Sequence, residues 1–319
     1  MLIPVLLFAV GLVLLIKGGN WFVDGATGIA QRFGVPELLI GATVVSIGTT
    51  LPEVMVSATS ALQGHGEIAY GNAIGSIICN TALIAAITIT AKPGKVDQKS
   101  FLTPVAFFFV AAAVYCYTAY SVGEFSRETG IGLLVIFALY MIVLIRQALR
   151  APKVFAADKR PQETMGKDLL LLVIGAVLIA LGAKLLVDNG ILIARAMGVP
   201  ESVVALTFVA LGTSLPELVT AVTSLLKGHG ALSLGNIIGA NLFNLVLVSG
   251  VSVVLSPFAL PVEKTVNGMN ASLVVDLPVM LFVMGLMTIP TLVRGKLSRW
   301  QGVALLGVYL GFCVFQFAV

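Results

Sequence analysis

The chain contains the same unit twice. Residues Gly18 to Asn80 align without a gap onto Gly182 to Asn244 at a constant offset of 164 residues, and 27 of the 63 pairs are identical. Ungapped identity of this density indicates a duplicated unit. The most polar shared stretch is GTTLPE at Gly48 to Glu53, which recurs as GTSLPE at Gly212 to Glu217. Each copy therefore carries one glutamate within apolar sequence.

The composition excludes a soluble domain with a polar exterior. Hydrophobic residues make up 58% of the chain, charged residues only 11%, and the mean hydropathy is +1.05. A helix needs roughly 17 to 25 apolar residues to cross a bilayer, and the chain supplies them almost end to end. We predict an all-α integral membrane protein of ten transmembrane helices, five per repeat, over residues 2–30, 36–62, 67–91, 101–121, 129–149, 168–196, 200–226, 231–256, 271–293 and 299–318.

The first and sixth segments are unusually long. We expect the stretches Gly18-Gly19-Asn20 and Gly182-Ala183-Lys184 to interrupt them, and the long segments to be tilted. A signal peptide is the alternative for Met1 to Ile16, but this stretch has no basic start and no small-residue cleavage site. We therefore interpret it as a membrane segment.

The placement of the basic residues predicts the orientation. A net charge of +4 could suggest nucleic-acid binding, but the Lys and Arg residues concentrate in alternate loops. With the N-terminus outside, fourteen of them face the cytoplasm and only three face outward, so the positive-inside rule places both termini outside. Five helices per repeat then force the second copy to insert upside down relative to the first. We expect a multi-pass protein of a prokaryotic inner membrane.

These assignments divide the chain into three parts. The first five-helix repeat covers residues 1–150 with its motif at about 41–81, and the inverted second repeat covers 168–319 with its motif at about 205–245. The cytoplasmic linker 151–167 is too short for a regulatory domain.

Cysteine and histidine do not point to a metal centre. Cys79, Cys116 and Cys313 lie in separate apolar segments without CxxC spacing, which favours core positions. His65 and His229 are repeat equivalents in GHG turns that inversion places on opposite membrane faces. A turn or helix-end role is the favoured interpretation, with pH sensing second.

The stretch from Thr43 to Ser57 can supply cation ligands. Proline lacks an N–H and clashes with the preceding turn, so Pro52 predicts a broken helix with free carbonyls near Ser46 and Thr49. Such carbonyls need protein, water or a cation as partner inside a bilayer. Glu53 begins the next half-helix, where the helix dipole favours a charged carboxylate.

The hydroxyl groups around the two glutamates complete an oxygen-rich set. Thr49 and Thr50 lie four and three residues before Glu53, so their hydroxyls can share its helix face. The second copy repeats this pattern with Thr213, Ser214, Pro216 and Glu217. Inverted motifs of this kind meet near the bilayer midplane in secondary transporters. Two carboxylates with only oxygen ligands suit Ca²⁺, and the same oxygens could hold Na⁺.

A second pair of motifs follows on the next helix of each half, GNAIGSIICN at Gly71 to Asn80 and GNIIGANLFN at Gly235 to Asn244. Ser76 and Asn80 share one helix face and can present oxygens toward Glu53. The second half keeps Asn244 but has Ala240 in place of the serine. Asn72 and Asn236 could also be ligands, although local backbone bonding is an equal alternative.

The remaining acidic residues of the apolar segments have weaker claims. Glu37 and Glu201 follow GVP at helix starts, where first-turn capping explains them better than ion binding. Asp24 and Asp188 lie near the ends of the long segments, which favours an interfacial or structural role, with gating second. Asp276 has no repeat partner and is either a helix-end residue or an accessory site.

At these motifs the sequence resembles the calcium/cation antiporter superfamily, and most closely its prokaryotic sodium/calcium exchanger branch. The resemblance covers GATVVSIGTTLPEVMVS through GNAIGSIICN and ALTFVALGTSLPELVTA through GNIIGANLFN. It implies alternating-access exchange of Ca²⁺ for Na⁺, with the first and sixth helices sliding across the rest. By motif position, the ligands it implies are Glu53, Glu217, Thr49, Thr50, Thr213, Ser214, Ser76, Asn80, Asn244 and the carbonyls of Ser46 and Ala210.

Two positions depart from this pattern. Some relatives carry a carboxylate where Asn244 stands and a hydroxyl where Ala240 stands. The departures leave open the Na⁺ stoichiometry and any role of K⁺ or H⁺.

Three other functions are alternatives to this exchange. Exchange of Ca²⁺ for H⁺ is the nearest alternative, because two close glutamates titrate as a coupled pair. A passive cation channel would use similar ligands. An intramembrane hydrolase is disfavoured, since no serine is paired with an intramembrane histidine and HExxH is absent. We expect the transported ions Ca²⁺ and Na⁺ and the surrounding lipid bilayer as the partners of this protein. We expect no cofactor, no nucleic-acid partner and no obligate protein partner.

Overall fold

A computed structural model describes residues 2–150, 164–197, 212–262 and 265–318, and the described chain is almost entirely helical. Its ten helices are numbered in chain order: α1 Leu2–Phe33, α2 Glu37–Leu62, α3 Gly66–Ala91, α4 Gln98–Ser121, α5 Arg127–Arg150, α6 Met165–Ala196, α7 Leu215–Leu226, α8 Gly230–Leu255, α9 Ser272–Arg294 and α10 Arg299–Ala318.

The predicted all-α membrane architecture is confirmed. Within the described residues, eight helices are long and apolar enough to cross a bilayer, and α7 is a shorter apolar helix. The helix ends lie within a few residues of the predicted segments. The start of the predicted segment 200–226, with Glu201 and Ala210, lies outside the described residues. The same holds for residues 151–163 of the predicted linker.

The predicted interruptions of the two long helices are wrong. Helices α1 and α6 each run through 32 residues without a break. Their glycines form a packing seam instead. A Cβ atom on Gly18 would lie 2.9 Å from the Ile179 nitrogen, and one on Gly175 would lie 2.4 Å from the Phe22 nitrogen. The glycines therefore allow close approach of two backbones whose own hydrogen bonds stay intact, as a bilayer requires.

The same seam shows that the repeats are inverted. Gly11 contacts Gly182, and Gly18 packs against Gly175 and its neighbours, so α1 and α6 run antiparallel. In the duplicated sequence Gly11 corresponds to Gly175, and Gly18 corresponds to Gly182. The contacts are therefore reciprocal, as a twofold axis between the halves demands. Equivalent helices that run in opposite directions mean two oppositely oriented copies.

Helices α3 and α8 form the centre of the molecule. Within their most apolar windows, 78% and 83% of residues are buried, against 22% in α1 and 28% in α6. The core helices carry the two GNxxG motifs, and the long pair lies at the periphery. The polar residues of the core helices are thus enclosed by protein rather than by lipid.

Wide π-helical turns replace the predicted break in the first motif. Helix α2 continues through Pro52, and a π-helical turn lies about two to three turns earlier at Gly41–Val45. Two of its carbonyls find side-chain donors, since Ser46 Oγ lies 2.7 Å from the Gly41 oxygen and Tyr140 Oη lies 3.0 Å from the Ala42 oxygen. Matching π-helical turns begin at Asn80 in α3 and at Asn244 in α8.

Short β pairings occur in the described loops, two between separate loops and one within the loop after α8. Strand β1 (Glu124–Phe125) pairs antiparallel with β2 (Phe258–Ala259), and β3 (Thr265–Val266) pairs with β4 (Met269–Asn270). A single bridge, Lys95 with Lys296, joins the loop after α3 to the loop before α10.

Candidate functional site

The two repeated glutamates come together in the protein interior. Glu53 lies in α2 and Glu217 in the first turn of α7, and both are 0% exposed. Thr50 Oγ1 lies 3.5 Å from Glu217 Oε1, so a hydroxyl of the first motif points at the carboxylate of the second. Each half therefore contributes to the surroundings of the other half's glutamate.

Several buried oxygens of the predicted ligands have no hydrogen-bond donor among the described residues. Among the described residues, neither oxygen of Glu53 has a partner, and neither does Oε2 of Glu217. The side-chain amides of Asn80 and Asn244 are also unpartnered and 0% exposed. Buried polar groups normally form hydrogen bonds, because a buried group without one costs about 1 to 3 kcal/mol of stability. A bound cation would satisfy carboxylate and amide oxygens together.

The threonines of the two motifs make reciprocal contacts across the repeat boundary. Thr49 Oγ1 donates to Asn236 Oδ1 at 3.1 Å, and Thr213 Oγ1 donates to Asn72 Oδ1 at 3.1 Å. Both pairs are related by the repeat offset. Because a hydroxyl that donates its proton keeps its lone pairs, each threonine oxygen remains able to bind a cation.

Asn72 and Asn236 had two equal interpretations from the sequence, ion ligand and local backbone bonding. The structure places both beside the predicted ligands, and the Asn72 amide also donates to the Glu53 carbonyl at 3.3 Å and to Ser57 Oγ at 2.8 Å. Backbone and side-chain bonding thus occur together. The sequence signal for this role was that Asn recurs at the same position of both GNxxG motifs. A hydrogen bond within one helix would not require the same residue in the other copy.

The other predicted ligands differ in whether they contact the opposite half. Ser214 Oγ lies 3.4 Å from Ser76 Oγ, so these hydroxyls of opposite halves meet. The hydroxyl of Ser46 lies within hydrogen-bond distance of the Gly41 and Asn236 carbonyls, at 2.7 and 3.0 Å. The Ser46 carbonyl oxygen lies 3.5 Å from Thr49 Oγ1. Ala210 lies outside the described residues.

Two of the paired charges outside the motifs bind across the repeat boundary. Glu37 lies in the first turn of α2 as predicted, but its carboxylate contacts His229 Nδ1 at 2.8 Å rather than capping the helix. Asp24 pairs with Lys227 at 2.8 Å, as a structural role requires. Both histidines occupy N-cap positions, His65 before α3 and His229 before α8.

The two remaining aspartates each contact a side chain of their own half. Asp188 pairs with Lys184 one helical turn away at 3.1 Å. Asp276 accepts from Gln316 Nε2 at 3.1 Å at the end of a π-helical turn. Neither aspartate contacts a predicted ligand in these pairings.

The assembled side chains are of the type that hard cations prefer. Within the described part of the chain, no three residues of the types His, Cys, Asp and Glu cluster as for a transition metal. The central groups are two carboxylates, four amides and several hydroxyls, all of which offer oxygen. Oxygen ligands favour Ca²⁺ and Na⁺ over Zn²⁺ or Cu²⁺.

Inverted helical repeats that enclose paired carboxylates define a membrane transporter of cations. A family model described as sodium/calcium exchanger protein matches residues 3–146 and 167–318. The chain belongs to this family, and its class of activity is cation/Ca²⁺ exchange transport.

Relatives of known sequence or structure extend over almost the whole chain. An uncharacterized membrane protein, MJ0091 of Methanocaldococcus jannaschii, is 34% identical over 95% of this chain and 94% of its own length. The sodium/calcium exchanger MaX1 of Methanosarcina acetivorans is 29% identical over 98% of both chains. A structure of the sodium-calcium exchanger NCX_Mj, soaked with Na⁺ and Ca²⁺, superimposes with a TM-score of 0.80 at 32% identity and covers 97% of each chain.

Proposed function

We propose that this protein exchanges Ca²⁺ for Na⁺ by alternating access at a site built around Glu53 and Glu217. The observation that carries the proposal is the pair of fully buried carboxylates from inverted copies, with oxygens that lack hydrogen-bond donors in the described chain. The similarity to proteins named sodium/calcium exchangers supports the choice of ions.

Charge balance makes the two ions compete. Two carboxylates carry two negative charges, which one Ca²⁺ or two Na⁺ ions neutralise. Burying an uncompensated charge in a low-dielectric interior costs several kcal/mol, so the site favours occupancy by one set of ions or the other. Mutually exclusive occupancy of this kind couples the two fluxes.

The peripheral helix pair is suited to the conformational change. Helices α1 and α6 contact each other along the glycine seam, and Phe22 and Ile179 of this pair line a small cavity beside Thr49 and Pro52. Movement of the pair as one body would open or close the approach to the site, while the buried core helices stay fixed.

Transport in reconstituted vesicles tests the function. We expect uptake of radiolabelled Ca²⁺ into proteoliposomes preloaded with Na⁺, and none into choline-loaded vesicles at equal pH. Uptake driven by a pH gradient without Na⁺ would replace Na⁺ by H⁺ as the coupled ion. Uptake without any ion on the opposite side would indicate a channel.

Substitution of the glutamates tests the site. Glu53→Gln and Glu217→Gln should each abolish exchange, because each removes one of the charges that balance the ion. The control is Glu67→Gln, which removes a carboxylate that is exposed and pairs with His65. Monodisperse elution in size-exclusion chromatography should show that all three variants are folded. Exchange retained by either site variant would exclude this site.

A further inference from the structure

Two loops of the basic membrane face are fastened together. The loop after α3 and the loop between α9 and α10 pair through their backbones, with Val96 N donating to the Gly295 oxygen and Leu297 N to the Gly94 oxygen, both at 2.9 Å. The bridge places Lys95 opposite Lys296. Because only backbone atoms form the bridge, the lysine side chains are not needed to hold it.

Four cations gather at this bridge without acidic partners. Lys92, Lys95, Lys296 and Arg299, here called the basic cluster, form no ion pair with any described residue. Asp97 is the acidic residue of these loops, and its carboxylate caps α4 by accepting from the backbone of Lys99 and Ser100. Four like charges in proximity are unfavourable unless an anion compensates them.

The basic cluster surrounds a concave surface. A cavity of about 350 Å³ is lined by residues 93–95 and 296–299, which include Lys95, Lys296 and Arg299. The Ser298 hydroxyl side chain also borders it. Ammonium groups, a guanidinium fork and a hydroxyl together form a donor set that matches phosphate oxygens.

The opposite face provides an internal comparison. There, β1 and β2 join the equivalent loops of the inverted halves, with Ala259 opposite Glu124 and Phe258 opposite Phe125. By the repeat offset, Ala259 corresponds to Lys95. The fold therefore builds the same kind of bridge from apolar and acidic residues. Formation of the bridge therefore does not explain the positive charges of the basic cluster.

The surroundings of the basic cluster favour a lipid as the source of the anion. Trp300 follows Arg299 directly, is exposed, and lies under the Arg294 guanidinium at 5.9 Å. Val293 and Val303 on the adjoining helix turns are exposed as well. Exposed tryptophan beside exposed aliphatic residues marks the level of the lipid headgroups.

We propose that the basic cluster binds the phosphate of an anionic phospholipid, whose acyl chains lie along Val293 and Val303. Basic pockets between helices at the membrane surface recognise such headgroups. The general excess of Lys and Arg on one face accounts for orientation. It does not account for three cations without ion pairs among the described residues around one cavity at a backbone bridge, with Lys92 next to that cavity in the sequence.

Tryptophan fluorescence can report this binding directly. The chain has two tryptophans, so Trp21→Phe leaves Trp300 as the sole reporter. In vesicles, brominated phosphatidylglycerol should quench Trp300 at a lower mole fraction than brominated phosphatidylcholine. Lys95→Gln combined with Lys296→Gln should reduce this preference about fivefold per lysine. Arg146→Gln combined with Arg150→Gln removes the same charge from α5 and should leave the preference unchanged.

Competition separates the possible sources of phosphate. Unlabelled phosphatidylglycerol should relieve the quenching, and inorganic phosphate should not. Equal relief by inorganic phosphate would assign the cavity to a soluble anion and overturn the lipid proposal. A preference that survives the lysine substitutions, or falls equally in the arginine control, would also overturn it. Binding is measured here without transport, so failure of Na⁺/Ca²⁺ exchange leaves this result unaffected.

Discussion

At the scale of single residues, the reciprocal threonine–asparagine contacts orient the threonine hydroxyl groups of the candidate site. Each hydroxyl proton is directed to an amide oxygen of the opposite half, at 3.1 Å in both pairs. The lone pairs of the threonine oxygens are then available to a cation. Asn72 and Asn236 thus act as positioning residues for the predicted ligands.

Removal of these amides tests that role. Asn72→Ala and Asn236→Ala should each weaken apparent Ca²⁺ affinity by about two- to tenfold, because one neutral hydrogen bond contributes roughly 0.5 to 1.5 kcal/mol. Asn241→Ala is the matched control, since Asn241 is also buried in α8 but donates to Thr81 and Met284. Concentration dependence of Ca²⁺ uptake is the measurement. An equal loss of apparent Ca²⁺ affinity in Asn241→Ala would show that the variants only destabilise the protein in general.

Asn244 is a predicted ligand that contributes no charge to the candidate site. It is 0% exposed, and neither of its side-chain polar atoms has a partner among the described residues. Asn244→Asp would add a third carboxylate, so we expect altered Na⁺ competition or a changed number of charges moved per Ca²⁺. Current and flux measured together in proteoliposomes report this. Identical competition and electrogenicity would show that position 244 does not influence the ions.

The sequence predicted the identity of the central groups better than their contacts. Glu53 and Glu217 stood out because ionisable residues in apolar helices are costly, roughly 2.5 to 3.5 kcal/mol each. The expectation that Thr50 shares a face with Glu53 did not anticipate that its hydroxyl reaches Glu217. Contacts across a repeat boundary depend on the tilt and depth of helices, which residue spacing does not specify.

At the scale of helices, the bilayer overrides the usual effect of glycine and proline. Both long helices remain intact through their glycines, and α2 remains helical through Pro52. Backbone groups in lipid have no water to bond, so a helix that keeps its hydrogen bonds is strongly favoured. Helix positions were predictable from apolar length, whereas breaks expected from Gly and Pro alone were not reliable.

The glycine seam predicts a specific packing defect. Gly175→Val would place a Cβ atom 2.4 Å from the Phe22 nitrogen, and such overpacking costs about 1 to 3 kcal/mol. We expect a lower midpoint of thermal unfolding in detergent. Gly132→Val in α5 is the control, because a Cβ there would have no neighbour within 4 Å among the described atoms. An equal decrease in both variants would attribute the loss to β-branching rather than to the seam.

At the scale of the whole molecule, the orientation remains a prediction from charge. The excess of Lys and Arg in alternate loops predicts that both termini lie outside the cytoplasm. A C-terminal alkaline phosphatase fusion should therefore be active, and a C-terminal green fluorescent protein fusion should be dark. Fluorescence without phosphatase activity would reverse the orientation of every loop, including the face that carries the basic cluster.

The division into halves at 1–150 and 168–319 also remains a prediction, although inversion itself follows from the antiparallel seam. Ion pairs also connect the two halves, since Glu37 contacts His229 and Asp24 contacts Lys227. Sequence comparison of the two copies revealed equivalence, but it could not reveal which residues of one copy touch the other.

The exchange of threonine and asparagine contacts between the halves has a consequence for how such a protein could arise. Thr49 depends on Asn236, and Thr213 depends on Asn72. A single five-helix unit consequently lacks the partner for its own threonine and supplies only one of the two carboxylates. Two separate five-helix units could form the same contacts only if they inserted in opposite directions. A single chain that carries both units fixes that opposed pairing.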